Sequence, residues 1–195
     1  QPYIYAAYKI FVAEVASTCN EALLLHYMLE KAKDKKEKAY LINHWLDQFK
    51  STFYRQTMFA EFEMITHQRA ANGESLTADA LCEIYTDLNK KWFGEEMHID
   101  EEIAMEWARI PHFYTSFYVY QYATGYAAAI ALSQRILKEG EPAIKDYFEF
   151  LSGGSSKDPI ELLRGAGVDM ATSKPIDDAL KVFEGLLDEM ESMLD

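Results

Sequence analysis

An acid stands in the middle of an apolar run near the start of this 195-residue chain. Residues 9–21 read K-I-F-V-A-E-V-A-S-T-C-N-E, in which Ile10, Phe11, Val12, Val15, Ala16 and Cys19 recur at the three- and four-residue spacing of a helix face. Glu14 lies inside that series. A carboxylate buried there has to be paired, hydrogen-bonded, metal-bound or protonated, because an isolated buried charge is very costly. Metal ligation is the sharp reading; an acid satisfied near a core, or a helix that is only partly buried, is the plain one. Glu21 follows seven residues later, and seven residues return a helix to within ~20° of the same direction. The two acids therefore share a face, with Glu21 either orienting a metal-bound histidine or serving as a structural acid.

A second concentration of functional groups spans residues 112–126, where His112 is followed by Tyr114, Tyr118, Tyr120, Tyr122 and Tyr126. Aromatic density commonly marks a core. Phenols and an imidazole in a segment without charge still need partners, and peptide carbonyls are suitable acceptors. Helical spacing predicts that Tyr118 and Tyr122, four residues apart, face alike. The other histidines are less informative: His26 and His44 lie among apolar neighbours, and His67 follows Glu63 by four residues, a spacing that suits a metal or a satisfied pair. The stretch Glu95-Glu-Met-His98 has the Glu-x-x-His spacing of di-iron carboxylate bundles. Such a site needs two copies, and this sequence has one, beside Gly94.

The elements that must position these groups are all predicted to be helices. The first covers residues 9 to about 32 and is followed by a solvated turn rich in lysine. Ile42, Trp45, Leu46, Phe49, Phe53, Phe59, Phe62 and Ile65 then predict one very long helix from residue 35 to about 71, spanning roughly 50 Å. Asn72-Gly73 stops it, and Thr77 starts a third helix that ends at Gly94. A short helix is expected near residues 100–108, a break at Pro111, a mostly buried helix over 113–137, shorter helices over 142–151 and 159–165, and a last one from Ser173 with Pro175 as its start signal. No strand pattern of useful length appears, so the class is all-α.

Composition narrows the function. A hydrophobic fraction of 49% with 14% aromatic residues describes a globular domain with a sizeable core. A net charge of -13 and a pI near 4.8 offer no basic patch, which argues against nucleic acid and against an anionic membrane surface. Cys19 and Cys82 are read as free thiols and suit a cytoplasmic setting. No 18-residue apolar run is present, and the N-terminus lacks the order of a signal peptide. A chain opening on Gln1 is expected to be truncated.

Two segments carry a family resemblance. The run F-V-A-E-V-A-S over residues 11–17, preceded by Gln1-Pro-Tyr and followed by Cys19-Asn-Glu, resembles the third-ligand helix of the oligoendopeptidase F family of zinc metallopeptidases. The run H-F-Y-T-S-F-Y-V-Y-Q-Y-A-T-G over residues 112–125 resembles that family's substrate-binding segment. The likeness extends over essentially the whole chain. It implies that residues 1–195 are one all-helical domain, the C-terminal portion of a zincin-like catalytic domain. It also implies a Zn2+ ion with Glu14 as its third ligand, and His112, Tyr118 and Tyr122 as donors to substrate carbonyls and the tetrahedral oxyanion.

Family members place two zinc-binding histidines and a general base in a His-Glu-x-x-His helix upstream of the third ligand. No such motif occurs in this sequence. The resemblance therefore implies an endopeptidase acting on short peptides, with the remainder of the same peptidase chain as partner and with this chain alone inactive. One position departs from the pattern: related thimet-type enzymes carry another Tyr three residues after the one matching Tyr122, whereas here Gly125 stands there and Tyr126 follows. The main oxyanion donor stays open among these tyrosines. The rival readings are a non-catalytic helical binding module and a di-metal carboxylate bundle.

Overall fold

The computed structural model describes residues 1–194, and every regular element among them is helical. Helices α1 (Ile10–Ala13) and α2 (Val15–Lys31) are followed by α3 (Lys35–Gln48), a π-helical stretch Phe49–Tyr54, and α4 (Arg55–Ala71). Next come α5 (Ala78–Phe93), two 3-10 stretches at Glu101–Arg109 and Pro111–Tyr114, and α6 (Tyr120–Glu139). Helices α7 (Glu141–Leu151), α8 (Pro159–Gly165) and α9 (Lys174–Leu194) complete the chain. They pack as two compact units, one made of Gln1–Phe53 and Thr124–Asp195, the other of Tyr54–Ala123.

Most boundaries follow local chemistry. Asp34 caps α3 by accepting the Glu37 N–H at 2.8 Å, while the Glu37 carboxylate takes the Lys33 N–H at 2.8 Å, so two otherwise orphaned donors are satisfied. Thr77 caps α5 through the Ala80 N–H, and Gly94 ends that helix at φ +82°, a left-handed geometry that glycine adopts freely. The long helix expected over residues 35–71 is present, but six residues near its middle widen to π geometry. Phe49 and Phe53 on that stretch are buried.

Two expectations are corrected. The first helix is not continuous, because it breaks at Glu14. The tyrosine-rich helix starts at Tyr120 instead of residue 113, since Pro111 opens a 3-10 turn and residues 115–119 form an irregular strap before α6. Tyr118 therefore lies on the strap, and the shared helix face expected for Tyr118 and Tyr122 does not exist.

In the first unit, Val12, Val15 and Cys19 pack with Ala128, Ala129 and Leu132 of α6 and with Leu163 of α8. Ala127, Ala128 and Ala129 are fully buried, and three small side chains in a row let backbones approach closely. The core of the second unit is aromatic. Phe59 and Phe62 of α4 meet Tyr85 of α5 and Phe113, with ring centroids 5.2–6.3 Å apart. Burying each such ring contributes about 1.5–3 kcal/mol.

Candidate active site

Glu14 is both the C-cap of α1 and the N-cap of α2, with φ -99° and ψ -1°. Its carbonyl accepts the Thr18 N–H and the Ser17 hydroxyl, each at 3.0 Å, so the backbone turn is fully bonded. Val12 and Val15 on either side are 6% and 0% exposed, yet Glu14 itself is exposed. The break lets two apolar residues enter the core and turns the acid out between them. The elimination that applies to a buried carboxylate does not apply here. Among the described residues no side chain pairs with Glu14, which leaves a charged, open oxygen donor of the kind zinc accepts. Glu21, on α2, is also exposed.

One carboxylate cannot hold an ion. Among the described residues no group of three or more His, Cys, Asp or Glu side chains is placed to bind a metal. The remaining histidines sit in local pairs: His26 lies 3.6 Å from Glu30, His44 3.5 Å from Gln48, and His98 3.2 Å from Asp100. Residues 95–98 lie in a turn beyond α5, so the Glu-x-x-His of the di-metal reading is not on a helix at all. Glu14 fits zinc as one member of a ligand set.

The other candidate residues lie in the second unit. His112, in the 3-10 turn, stacks on Tyr118 of the strap with ring centroids 5.4 Å apart, and meets Tyr122 of α6 edge-on at 5.7 Å. Tyr118 and Tyr122 are 5.6 Å apart, and the Tyr122 hydroxyl lies 3.3 Å from His112 Nε2. Three different elements thus converge on one patch of donors, with His112 exposed and the two tyrosines half-buried. Such an array can hydrogen-bond a carbonyl oxygen and the oxyanion formed from it.

What holds the strap was not legible in the sequence. Phe117 has φ +58°, the only positive value of a non-glycine residue among the described residues, and a bulky side chain there costs on the order of 1–3 kcal/mol. Its N–H donates to the carboxylate of Glu63, a buried acid on α4 that is 5% exposed. A hydrogen bond to a charged group is worth about 1.5–3 kcal/mol, enough to offset that strain. The Glu63–His67 spacing suits a metal or a satisfied pair. The structure shows the pair, with His67 Nε2 4.0 Å from the Glu63 carboxylate and the imidazole 4.6 Å from the Phe117 ring.

A second buried acid precedes the strap. Glu106, in the 3-10 stretch, accepts the Tyr85 hydroxyl at 2.6 Å and the guanidiniums of Arg55 and Arg109. Burial alone would raise the Glu106 pKa, but the Tyr85 hydroxyl and the two cations outweigh it and hold the group below the usual carboxylate range. Burial, then the neighbouring Glu106, push the Tyr85 phenol far above its ordinary value, so it remains a donor.

Tyr126 is a different kind of residue from Tyr118 and Tyr122. It is 4% exposed, packs edge-on against Phe49 at 4.9 Å, and its hydroxyl faces the buried Trp45 indole, with burial pushing the phenol well above its ordinary value. A Cβ at Gly125 would stand 3.8 Å from the Phe11 carbonyl and from Val15, an ordinary contact distance at which a methyl fits. Cys19 is an inert thiol: burial pushes it up to about 11, against the opposing influence of the Tyr147 hydroxyl.

A profile of peptidase family M3 matches residues 1–182. The chain is 58% identical over its whole length to oligopeptidase PepF of Bacillus subtilis and 45% identical to the plasmid oligoendopeptidase F of Lactococcus lactis subsp. cremoris. It spans 29% and 32% of those proteins. Among solved structures it superposes on oligoendopeptidase F from Enterococcus faecium with a TM-score of 0.89 and 45% identity, covering 95% of this chain and 36% of that one. A putative peptidase from Chlamydophila abortus gives 0.91 and 42%, covering 99% and 32%. With an all-helical fold of that kind and a profile match over nearly its full length, the chain belongs to peptidase family M3.

Proposed function

We propose that this chain is the C-terminal portion of the catalytic domain of a zinc-dependent oligoendopeptidase that cuts short peptides, and that both compact units belong to that domain. Glu14 supplies the third zinc ligand. The observation that carries this reading is the exposed, unpaired Glu14 turned out of the core by a helix break, in a chain of family M3. Zinc, when bound, acidifies a water for attack and polarises the scissile carbonyl. His112, Tyr118 and Tyr122 bind the substrate carbonyl and strengthen their hydrogen bonds as negative charge builds on its oxygen. Glu21 orients a ligating histidine from outside this chain.

The remainder of the same peptidase chain is the partner that completes the site. Tyr3, Ile4 and Tyr8 are 94%, 74% and 63% exposed, apolar surface of the sort that another part of the protein covers. Residues Tyr8, Val12, Ala13, Ala16, Phe150 and Leu162 line an open groove of about 400 Å³. No described helix is long and apolar enough to cross a membrane. Two free thiols, one of them buried, suit a cytoplasmic enzyme. The test is hydrolysis of a quenched-fluorescent peptide. The complete peptidase should cleave it in a zinc-dependent manner and the 195-residue chain should not; cleavage by the isolated chain rejects the reading.

A further inference from the structure

We propose that Glu63 is a positioning residue for this peptidase chemistry: its carboxylate holds the left-handed turn at Phe117 and thereby sets Tyr118 beside His112 and Tyr122. The inference rests on the reading of Tyr118 as a donor to substrate.

The 3-10 turn and the strap after it, together residues 110–119, are fastened at four points. Ile110 and Val119, 7% and 1% exposed, anchor its ends in the core of the second unit. Phe113 is gripped by Phe59 and Phe62 of α4 at 5.4 and 5.2 Å. One turn further along the same helix, Glu63 accepts the Phe117 N–H. Tyr118 therefore lies between a pinned amide and a buried Val119, with little freedom beyond its own side-chain torsions.

Stability does not explain this device. Thr115, Ser116 and Phe117 are exposed, Phe117 by 55%, so the turn buries little apolar surface. It is instead a strained backbone conformation maintained by a buried carboxylate, one residue before a donor of the site. Strain of this kind persists only where its surroundings over-determine it.

The experiment uses the complete peptidase and a quenched-fluorescent peptide. Glu63→Ala should lower kcat by on the order of ten- to a hundred-fold, the cost of misplacing a catalytic group by about 1 Å, with zinc content unchanged. Glu63→Gln, which keeps an acceptor oxygen, should recover most of that loss. If Glu63→Ala does not fold, the half-exposed Phe117 decides: Asn tolerates φ > 0 and Val does not, so Phe117→Asn should retain kcat and Phe117→Val should lose it, although both lack the ring.

Coupling separates positioning from general damage. In a Tyr118→Phe background, Glu63→Ala and Phe117→Val should have no further effect on kcat. Additive losses, equal behaviour of Asn and Val at residue 117, or normal kinetics of Glu63→Ala would overturn the proposal. If Tyr118→Phe lowers kcat while Glu63→Ala does not, the positioning role alone fails. Normal kinetics of Tyr118→Phe by itself would reject the donor role, and the positioning role with it.

Discussion

Replacing Tyr85 by Phe should loosen the second unit through Glu106, the acid that fastens the 3-10 stretch leading to His112. The side chain of Glu106 is 4% exposed and takes three donors: Tyr85 at 2.6 Å, Arg55 and Arg109. Tyr85→Phe leaves the ring packing against Phe59 and Phe62 in place and removes one hydrogen bond to a buried charge, at a cost of about 1.5–3 kcal/mol. With a urea m-value of about 2–3 kcal/mol/M, the unfolding midpoint should fall by about 1 M. Because folding depresses the Glu106 pKa, its stabilisation is complete above the unfolded value of about 4.3 and is lost as pH falls through the folded value below it. Without the hydroxyl that folded pKa rises toward the unfolded one, so the variant should lose this stabilisation at a higher pH than the wild type. Urea unfolding followed by circular dichroism from pH 7 down to about 3 reads both effects. A midpoint unchanged at pH 7, or a gap between the two proteins that grows on acidification below both pKa values, would refute the network.

Four further outcomes follow from the same structure. Tyr122→Phe, Tyr118→Phe and His112→Phe in the complete peptidase should lower kcat and kcat/KM together, by roughly ten- to a thousand-fold for the principal donor, with zinc content unchanged; a raised KM at constant kcat would mean ground-state binding only. Tyr126→Phe should leave kinetics untouched and cost about 0.5–1.5 kcal/mol of stability, since its buried hydroxyl faces the Trp45 indole inside the core; a large kcat loss would assign the donor role to Tyr126 instead. Gly154→Ala should cost about 1–3 kcal/mol or more, because φ is +55° and a Cβ would lie 2.0 Å from the Tyr5 carbonyl. Gly125→Ala, whose neighbours stand at 3.8 Å in a helix, should be neutral or stabilise by about 0.5–1 kcal/mol, and thermal melts of the two glycine variants check the contrast.

Periodicity was enough to find the helices. The caps at Thr77 and Gly94 and the apolar series over residues 35–71 are local signals, and local chemistry decides those boundaries. Breaks inside apolar runs were not legible. Nothing in the residue types around Glu14 distinguishes a continuous helix from one that turns at a single residue, because the choice is made by how Val12 and Val15 pack against α6. The helix expected from residue 113 failed for a related reason: aromatic residues there satisfy a helical pattern, but Phe113 and Val119 are claimed by the core and Phe117 by Glu63. His112, Tyr118 and Tyr122 could be singled out through the family likeness, while their convergence from three elements depends on contacts more than fifty residues apart in sequence, such as Glu63 to Phe117. The Glu63–His67 spacing was visible, yet its partner was not.

The most direct test of the central claim is the zinc content of the complete peptidase carrying Glu14→Gln, measured after dialysis against a metal buffer. Replacing a group that merely orients a zinc ligand typically costs 10–100-fold in affinity, so replacing a ligand itself should weaken zinc binding by at least about a hundred-fold. Glu14 is exposed and its backbone turn is held by Thr18 and Ser17, so the fold and its melting temperature should be retained. Loss of zinc with an intact fold is the predicted result. Full zinc occupancy with normal peptide turnover in Glu14→Gln would contradict the account and leave Glu14 a surface acid at a helix break.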